Sequence, residues 1–165
     1  MASQQKNEKR RLEIIAAAAT HLVDHGFQNS GLRAIAKSAG ISDRMIMYYF
    51  ETKEELVSEA LSLIGESLAD GMDKSVPNGN LSPRQLLDEL SDALKSEEVQ
   101  AALRLWFEIV GLAMRGQQPY QKTAALLLLR SQEQIRKKLR SDQKHRAREV
   151  LSTLEGQMMI DLLLT

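Results

Sequence analysis

Arg44, Tyr48, Tyr49 and Lys53 fall within ten residues of one another. Their shared chemistry is hydrogen bonding to nucleic acid. A guanidinium matches the paired acceptors on the edge of guanine, while phenol hydroxyls and an ammonium suit phosphate oxygens. The residues just before them can hold such a set in place. Ala36 is small enough to sit where two helices cross. Gly40, four residues on, can take the positive φ of a turn without steric cost. Ile35, Ile41 and Ile46 are apolar pegs on either side. A helix of about Gly31 to Ser38, a turn at Ala39–Gly40–Ile41 and a third helix from Ser42 to about Tyr49 make a helix-turn-helix. Its last helix would turn Ser42, Asp43, Arg44, Met45, Met47 and Tyr48 towards base edges. That arrangement predicts double-stranded DNA as a partner.

The run Ile41–Ser42–Asp43–Arg44–Met45–Ile46–Met47–Tyr48–Tyr49–Phe50–Glu51–Thr52–Lys53–Glu54–Glu55–Leu56 resembles the signature of the TetR family of bacterial one-component regulators. The signature comprises a serine opening the recognition helix, an aromatic pair, phenylalanine, a short turn and Lys-Glu-Glu-Leu. Ser30 to Ala36 is similar to the family's second helix, and the strong similarity covers about residues 10–65. The resemblance implies that Tyr48 and Tyr49 grip phosphate and pack over the groove edge. Lys53 would pair with phosphate at a helix N-terminus, which itself attracts anions. Ser30 would cap the second helix near the DNA backbone, and Phe50 would be a buried anchor.

Two positions depart from the signature. Met47 stands where another tyrosine is frequent, which removes one phosphate hydrogen bond. Arg44 stands where small residues are common; it reads a guanine, contacts phosphate, or pairs with Asp43 or Glu51. The expected DNA-contacting set is Ser30, Arg33, Ser42, Arg44, Met45, Met47, Tyr48, Tyr49 and Lys53.

Other chemistry is thin. His21 and His25 flank Asp24 like an inverted zinc-protease motif. However, Leu22 and Val23 are wanted in a core, and the only other histidine is His145. Two imidazoles in the last turn of a helix are favourable without a metal. There is no cysteine, no glycine-rich phosphate loop and no Ser/His/Asp arrangement. Neither an enzyme nor a metal or other cofactor is expected. Lys6, Lys9, Arg10 and Arg11 suggest either an arm touching DNA or a solvated terminus. The basic stretch from Arg136 to Arg148 reads as a solvated turn between the last two helices.

The positioning elements read as helices throughout, an all-α chain with no strand candidate. Residues 1–53 carry eight Lys/Arg against five Asp/Glu, a charge of +3. The whole chain balances at 22 of each, so the remainder carries −3. A basic end on an acidic body suits a molecule that meets phosphate at one end. Leu12, Ile15, Ala19, Leu22 and Val23 mark one face of a first helix from about Asn7 to His25, stopped by Gly26. Thr52 and Glu55 form a capping box opening a fourth helix to about Met72. Pro77, Asn78 and Gly79 mark a loop, and Ser82–Pro83 with Gln85 opens a helix to about Lys95. Further helices are expected over about 97–115, 119–140 and 142–165. The layout is a three-helix DNA-binding head with its helix-turn-helix, residues 1–52, and a C-terminal helical bundle for effector binding and dimerisation, residues 53–165. No apolar run approaches the roughly 18 residues of a membrane span. With the polar Met1–Arg11 start and no cysteine, this suits a cytoplasmic protein.

The TetR-like layout implies a body that binds a small-molecule effector and changes the separation of two DNA-reading heads, most often as a repressor. Leu103, Trp106, Phe107, Val110 and Met114 put more large apolar groups on one helix than a single stripe needs. They read as either a plain core helix or the wall of a ligand cavity, with Tyr120 as a polar point. The apolar C-terminus, Met158 to Leu164, would be an exposed patch unless covered. A homodimer through the last two helices covers it, by way of Leu127, Leu128, Leu151, Leu154, Met158 and Leu162. A two-fold dimer implies a palindromic operator.

Overall fold

The computed structural model describes residues 2–76 and 78–164, so Pro77 of the expected loop lies outside the described residues. The chain is helical throughout, as its patterning predicts. α1 spans Ala2–His25, α2 Leu32–Ser38, α3 Asp43–Tyr49 and α4 Lys53–Ser75. α5 spans Pro83–Ala93, α6 Glu97–Met114, α7 Tyr120–Lys138 and α8 Ala147–Leu164. Among the described residues the only sheet-like feature is one parallel bridge between Leu81 and Leu139. The last helix starts five residues later than its pattern suggests. Ser141–Arg146 forms a 3₁₀ turn instead, and α8 takes over at Ala147, whose side chain is buried.

Side-chain caps start α3, α4, α5 and α6. Ser42 accepts from the Met45 N–H and starts α3. Thr52 accepts from the Glu55 N–H and starts α4. The expected return bond is displaced by one residue: Glu55 Oε2 accepts from the Glu51 N–H at 2.7 Å, not from Thr52. The box at α5 is complete, because Ser82 and Gln85 each satisfy the other's backbone N–H.

Two cores organise the molecule. The first joins Ile14, Ala18 and Leu22 of α1 to Ile35, Ile46, Phe50, Leu56 and Val57. It also takes Leu105 and Ile109 from α6 and Tyr120 from α7. The head is therefore packed onto the bundle by apolar side chains from 50 to 100 residues downstream, and its core does not stop at residue 52. The second core gathers Leu86, Leu90, Leu103, Ile135, Val150, Leu151, Leu154 and Met158. α4 runs beside both α1 and α7, bridging the two cores.

One cation lies inside the second core region. Lys138 is fully buried, donates to the Val76 carbonyl at 2.7 Å and pairs with Asp73 Oδ1 at 2.7 Å. It therefore leaves the basic stretch that the sequence reads as solvated. A buried ammonium requires such partners, because desolvation otherwise costs several kcal/mol. Together with Leu81 N–H···O Lys138 and Arg140 N–H···O Leu81, it ties the α4–α5 connection to the end of α7.

Candidate nucleic-acid interface

The helix-turn-helix closes as its spacing requires. Gly40 has φ +64, Ile35 and Ile46 are fully buried, and Ala36 is nearly so. α3 then presents a contiguous outer face. Tyr48 is 69% exposed, Met45 and Met47 are each 45% exposed, and Arg44 is open to solvent. Asp43 does not engage the Arg44 guanidinium. Its Oδ2 sits 3.5 Å from Arg33 Nε across from α2, and its Oδ1 accepts the Arg44 backbone N–H. Among the described residues Arg44 makes no ion pair, so the alternative of a pair with Asp43 or Glu51 is not realised. Ser42 is exposed, but its hydroxyl is occupied as the α3 cap.

Tyr49 differs from Tyr48. It is half-buried against the first core and meets Tyr48 edge-on, ring centroids 5.0 Å apart. It braces the exposed ring as well as offering its own hydroxyl. Phe50 is buried as expected, with the Arg11 guanidinium 4.8 Å above its ring.

Two expectations about this end are corrected. Ser30 does not cap α2; the N-cap is Gly31, without a side-chain bond. Ser30 is fully buried, and its hydroxyl donates to the Gly26 carbonyl at 2.6 Å, closing the end of α1. It offers no exposed atom to DNA. Arg11 is not part of a free arm: α1 is helical from Ala2, and Arg11 forms a fork with Glu59 that is backed by Glu55. The hydrogen bond with Glu59, more than any other influence, raises the Arg11 pKa. His21 and His25 stack at 4.3 Å at the end of α1. His21 Nδ1 shares a 2.7 Å hydrogen bond with Ser38 Oγ, and His25 Nδ1 donates to the His21 carbonyl. This histidine pair ties α1 to the end of α2.

Lys53 is the first residue of α4. Its ammonium lies 5.1 Å from the centroid of Phe27, whose ring meets Tyr120 edge-on at 5.2 Å. The Phe27 and Gln28 N–H groups donate to Glu108 Oε2 of α6, at 2.9 and 3.3 Å. Tyr120 is nearly inaccessible; burial, then the charge of Glu54, pushes its hydroxyl pKa up to about 12.

The six expected effector residues do not converge. Leu103 and Phe107 pack into the second core, whereas Tyr120 belongs to the first. Met114, in the last turn of α6, is 84% exposed. Val110 is half-buried, and the Trp106 indole N–H donates to Glu155 Oε2 at 2.9 Å. Too many apolar residues for one stripe thus means two cores, one on each side of α6. The recesses lie elsewhere. An open cleft of about 280 Å³ runs between α5 and α8, lined by Arg84, Leu87, Asp88, Glu149 and Val150 among others. A smaller one of about 90 Å³ involves Leu94, Gln100 and Met158.

The dimer candidates are likewise redistributed. Leu151, Leu154 and Met158 are buried in the chain's own second core, Leu162 packs against it, and Leu127 lies against Gly65. Leu128 is just over a third exposed. The more exposed apolar side chains are their neighbours: Leu126 and Leu129 on α7, and Met159, Ile160, Leu163 and Leu164 on α8.

Residues 14–60, the segment that builds this head, match the bacterial regulatory proteins of the tetR family. The chain belongs to the TetR family. That family consists of transcriptional regulators, which are not enzymes. The TetR-family chain is 30% identical over 115 residues to the HTH-type transcriptional regulator PksA of Bacillus subtilis (strain 168), covering 68% of this chain and 56% of PksA. It spans about half the length of the curated relatives it matches. Its fold is that of a transcriptional regulator, SCO7518, from Streptomyces coelicolor A3(2), with TM-score 0.75, 24% identity, and 94% of this chain and 88% of that one covered. It is also that of the multidrug binding protein EbrR complexed with proflavin, with TM-score 0.70, 24% identity, and 94% and 89% covered. Among the described residues no helix is long and apolar enough to cross a membrane.

Sequence reasoning on this TetR-family chain misses Glu108 and Glu155, whose partners are 81 and 49 residues away. Burial raises the Glu155 pKa, and the Trp106 hydrogen bond only partly opposes the rise. A carboxyl that ionises less readily when folded stabilises the fold least once it must carry charge. Stability attributable to this group is intact below the ordinary value of 4.5 and is lost as pH rises above it. Glu155→Gln keeps an oxygen for Trp106 and removes the charge. It should melt at a higher temperature than the parent at neutral pH, with the two curves converging below pH 4.5. Thermal melts followed by circular dichroism across that range check this.

Proposed function

We propose that the chain is a ligand-responsive transcriptional repressor that binds a palindromic operator as a homodimer and is released by a small-molecule effector. The observation that carries the reading is the outer face of α3. Arg44, Met45, Met47 and Tyr48 stand exposed there, with the Lys53 ammonium at the start of the next helix. Tyr48, Tyr49 and Lys53 hold phosphate; Arg44, with Asp43 occupied by Arg33, reads a base; Met45 and Met47 make apolar contact in the groove, and Ser42 and Arg33 flank them.

The outward apolar residues of α7 and α8 support a second copy of this chain as partner. The name of its structural neighbour EbrR, a multidrug binding protein, supports an organic effector. The α5–α8 cleft is the recess that favours it in the single chain, slightly below the usual range of about 300–1,000 Å³ for ligand sites. A regulator of this kind works in the cytoplasm, where DNA and effector meet.

Selection from random duplex DNA tests the reading. Enrichment of a palindrome with half-sites about one helical turn apart supports it; enrichment of no sequence overturns it. On the selected duplex, Arg44→Ala should lose discrimination at one base pair per half-site. The loss should be about 1–3 kcal/mol for a bidentate guanine contact, with other positions unchanged. Competition binding against single-base variants measures it.

A further inference from the structure

Glu108 holds a stretch of backbone 81 residues away. α1 ends at His25, and Gly26 turns the chain with φ +74. The next two N–H groups, Phe27 and Gln28, both donate to one oxygen of the Glu108 carboxylate. Its other oxygen comes within 2.7 Å of where a Cβ on Gly26 would lie. Glycine is favoured at 26 by its positive φ, and any Cβ there would push the Glu108 carboxylate aside. The carboxylate is not explained by the stability of α1, whose dipole disfavours an anion at its carboxyl end. The turn's own N–H groups account for it.

What the turn carries is the Phe27 ring. Tyr120 fixes it from α7, and Glu108 fixes its backbone from α6. The same ring receives the Lys53 ammonium. A free lysine side chain loses considerable rotamer entropy when it grips a phosphate. One already lying on an aromatic face, where cation–π attraction holds it, loses less. Resting on the phosphate role given to Lys53 above, we propose that Glu108 is a positioning residue for the DNA contact. It anchors Phe27, and through Phe27 it sets where the Lys53 ammonium stands. The body thus reaches the phosphate-binding lysine through one carboxylate and one ring.

The test uses the full chain with Glu108→Ala, Glu108→Gln and Glu108→Asp. The first readout needs no DNA. The Lys53 ε-methylene protons lie near the Phe27 ring, so their NMR resonance should be shifted by its ring current. The shift should persist in Glu108→Gln, which retains an oxygen acceptor, and collapse in Glu108→Ala while helicity is unchanged. Should Glu108→Ala unfold, Glu108→Asp, one methylene too short to hold both N–H groups, should show a reduced shift. A Lys53 resonance that stays put in folded Glu108→Ala and in Glu108→Asp overturns the proposal.

The second readout is affinity for the selected duplex. Glu108→Ala should bind roughly tenfold more weakly, and it should add nothing in a Lys53→Ala background, because the two act as one unit. Losses that simply add overturn it. A parent chain that binds no duplex removes the phosphate reading alone, and the Lys53 resonance still decides the positioning.

Discussion

Replacing Tyr48 and Lys53 together by alanine should weaken operator binding by about 100-fold, equally on every sequence, with little change in stability. Charge-assisted hydrogen bonds to phosphate are worth about 1.5–3 kcal/mol each, and a neutral one about 1. The pair therefore removes roughly 3 kcal/mol, or a factor of about 100. Stability should be nearly spared, because Tyr48 is 69% exposed. The Phe27 ring beneath Lys53 also keeps its edge contact with Tyr120. Tyr49 is deliberately left in place: it is packed on the first core, and its removal would confound binding with folding. Tyr49→Phe, which removes only the hydroxyl, is the appropriate third substitution. Loss of Lys53 should also reduce the slope of log affinity against log salt by about 1, one phosphate fewer neutralised. Fluorescence anisotropy at several salt concentrations measures both quantities. A loss confined to certain sequences would place these side chains on bases and remove them from the backbone grip.

The helix-turn-helix was readable from sequence because the contacts that close it are local. The Ser42 cap meets Met45 three residues away, Gly40 needs only its own φ, and Ile35, Ile41 and Ile46 pack within a dozen residues. The same locality misled where a side chain had a nearer claim on it than DNA. Ser30 looked like a cap for the helix after it, and in fact closes the helix before it, through Gly26. Arg11 looked like part of a basic arm, but Glu59, 48 residues on, holds it.

The body was legible as helices but not as surfaces. α6 serves two cores, so an excess of apolar residues did not signal a cavity. The end of α8 is apolar on more than one face, and periodicity alone does not say which of Met158 and Met159 faces inward. Packing against α5 and α7 decides it: Met158 is buried and Met159 is not. Lys138 shows the limit most clearly, since a lysine in a basic run ends up fully buried only because Asp73 and the Val76 carbonyl meet it there.

That redistribution sharpens where a second copy would dock. With Leu151, Leu154 and Met158 committed to the chain's own core, the faces left for association are Leu126 and Leu129 on α7 and Met159, Ile160 and Leu163 on α8. These outward positions recur on α8 at helical spacing past Ser152 and Gly156, so close approach of two helices is sterically possible. Leu129→Glu combined with Leu163→Glu should convert the proposed dimer to a folded monomer, because like charges would be buried face to face without partners. Both positions are exposed in the single chain, at 64% and 77%, so its own stability should change little. Operator affinity should then fall by about 100-fold or more, since linking two heads raises avidity by factors of about 10²–10⁴ over one. Binding to an isolated half-site should be unchanged. Sedimentation equilibrium and anisotropy on full and half operators separate the outcomes. A variant that stays dimeric would move the interface off these helices, whereas a monomer with undiminished operator affinity would show that the heads act singly.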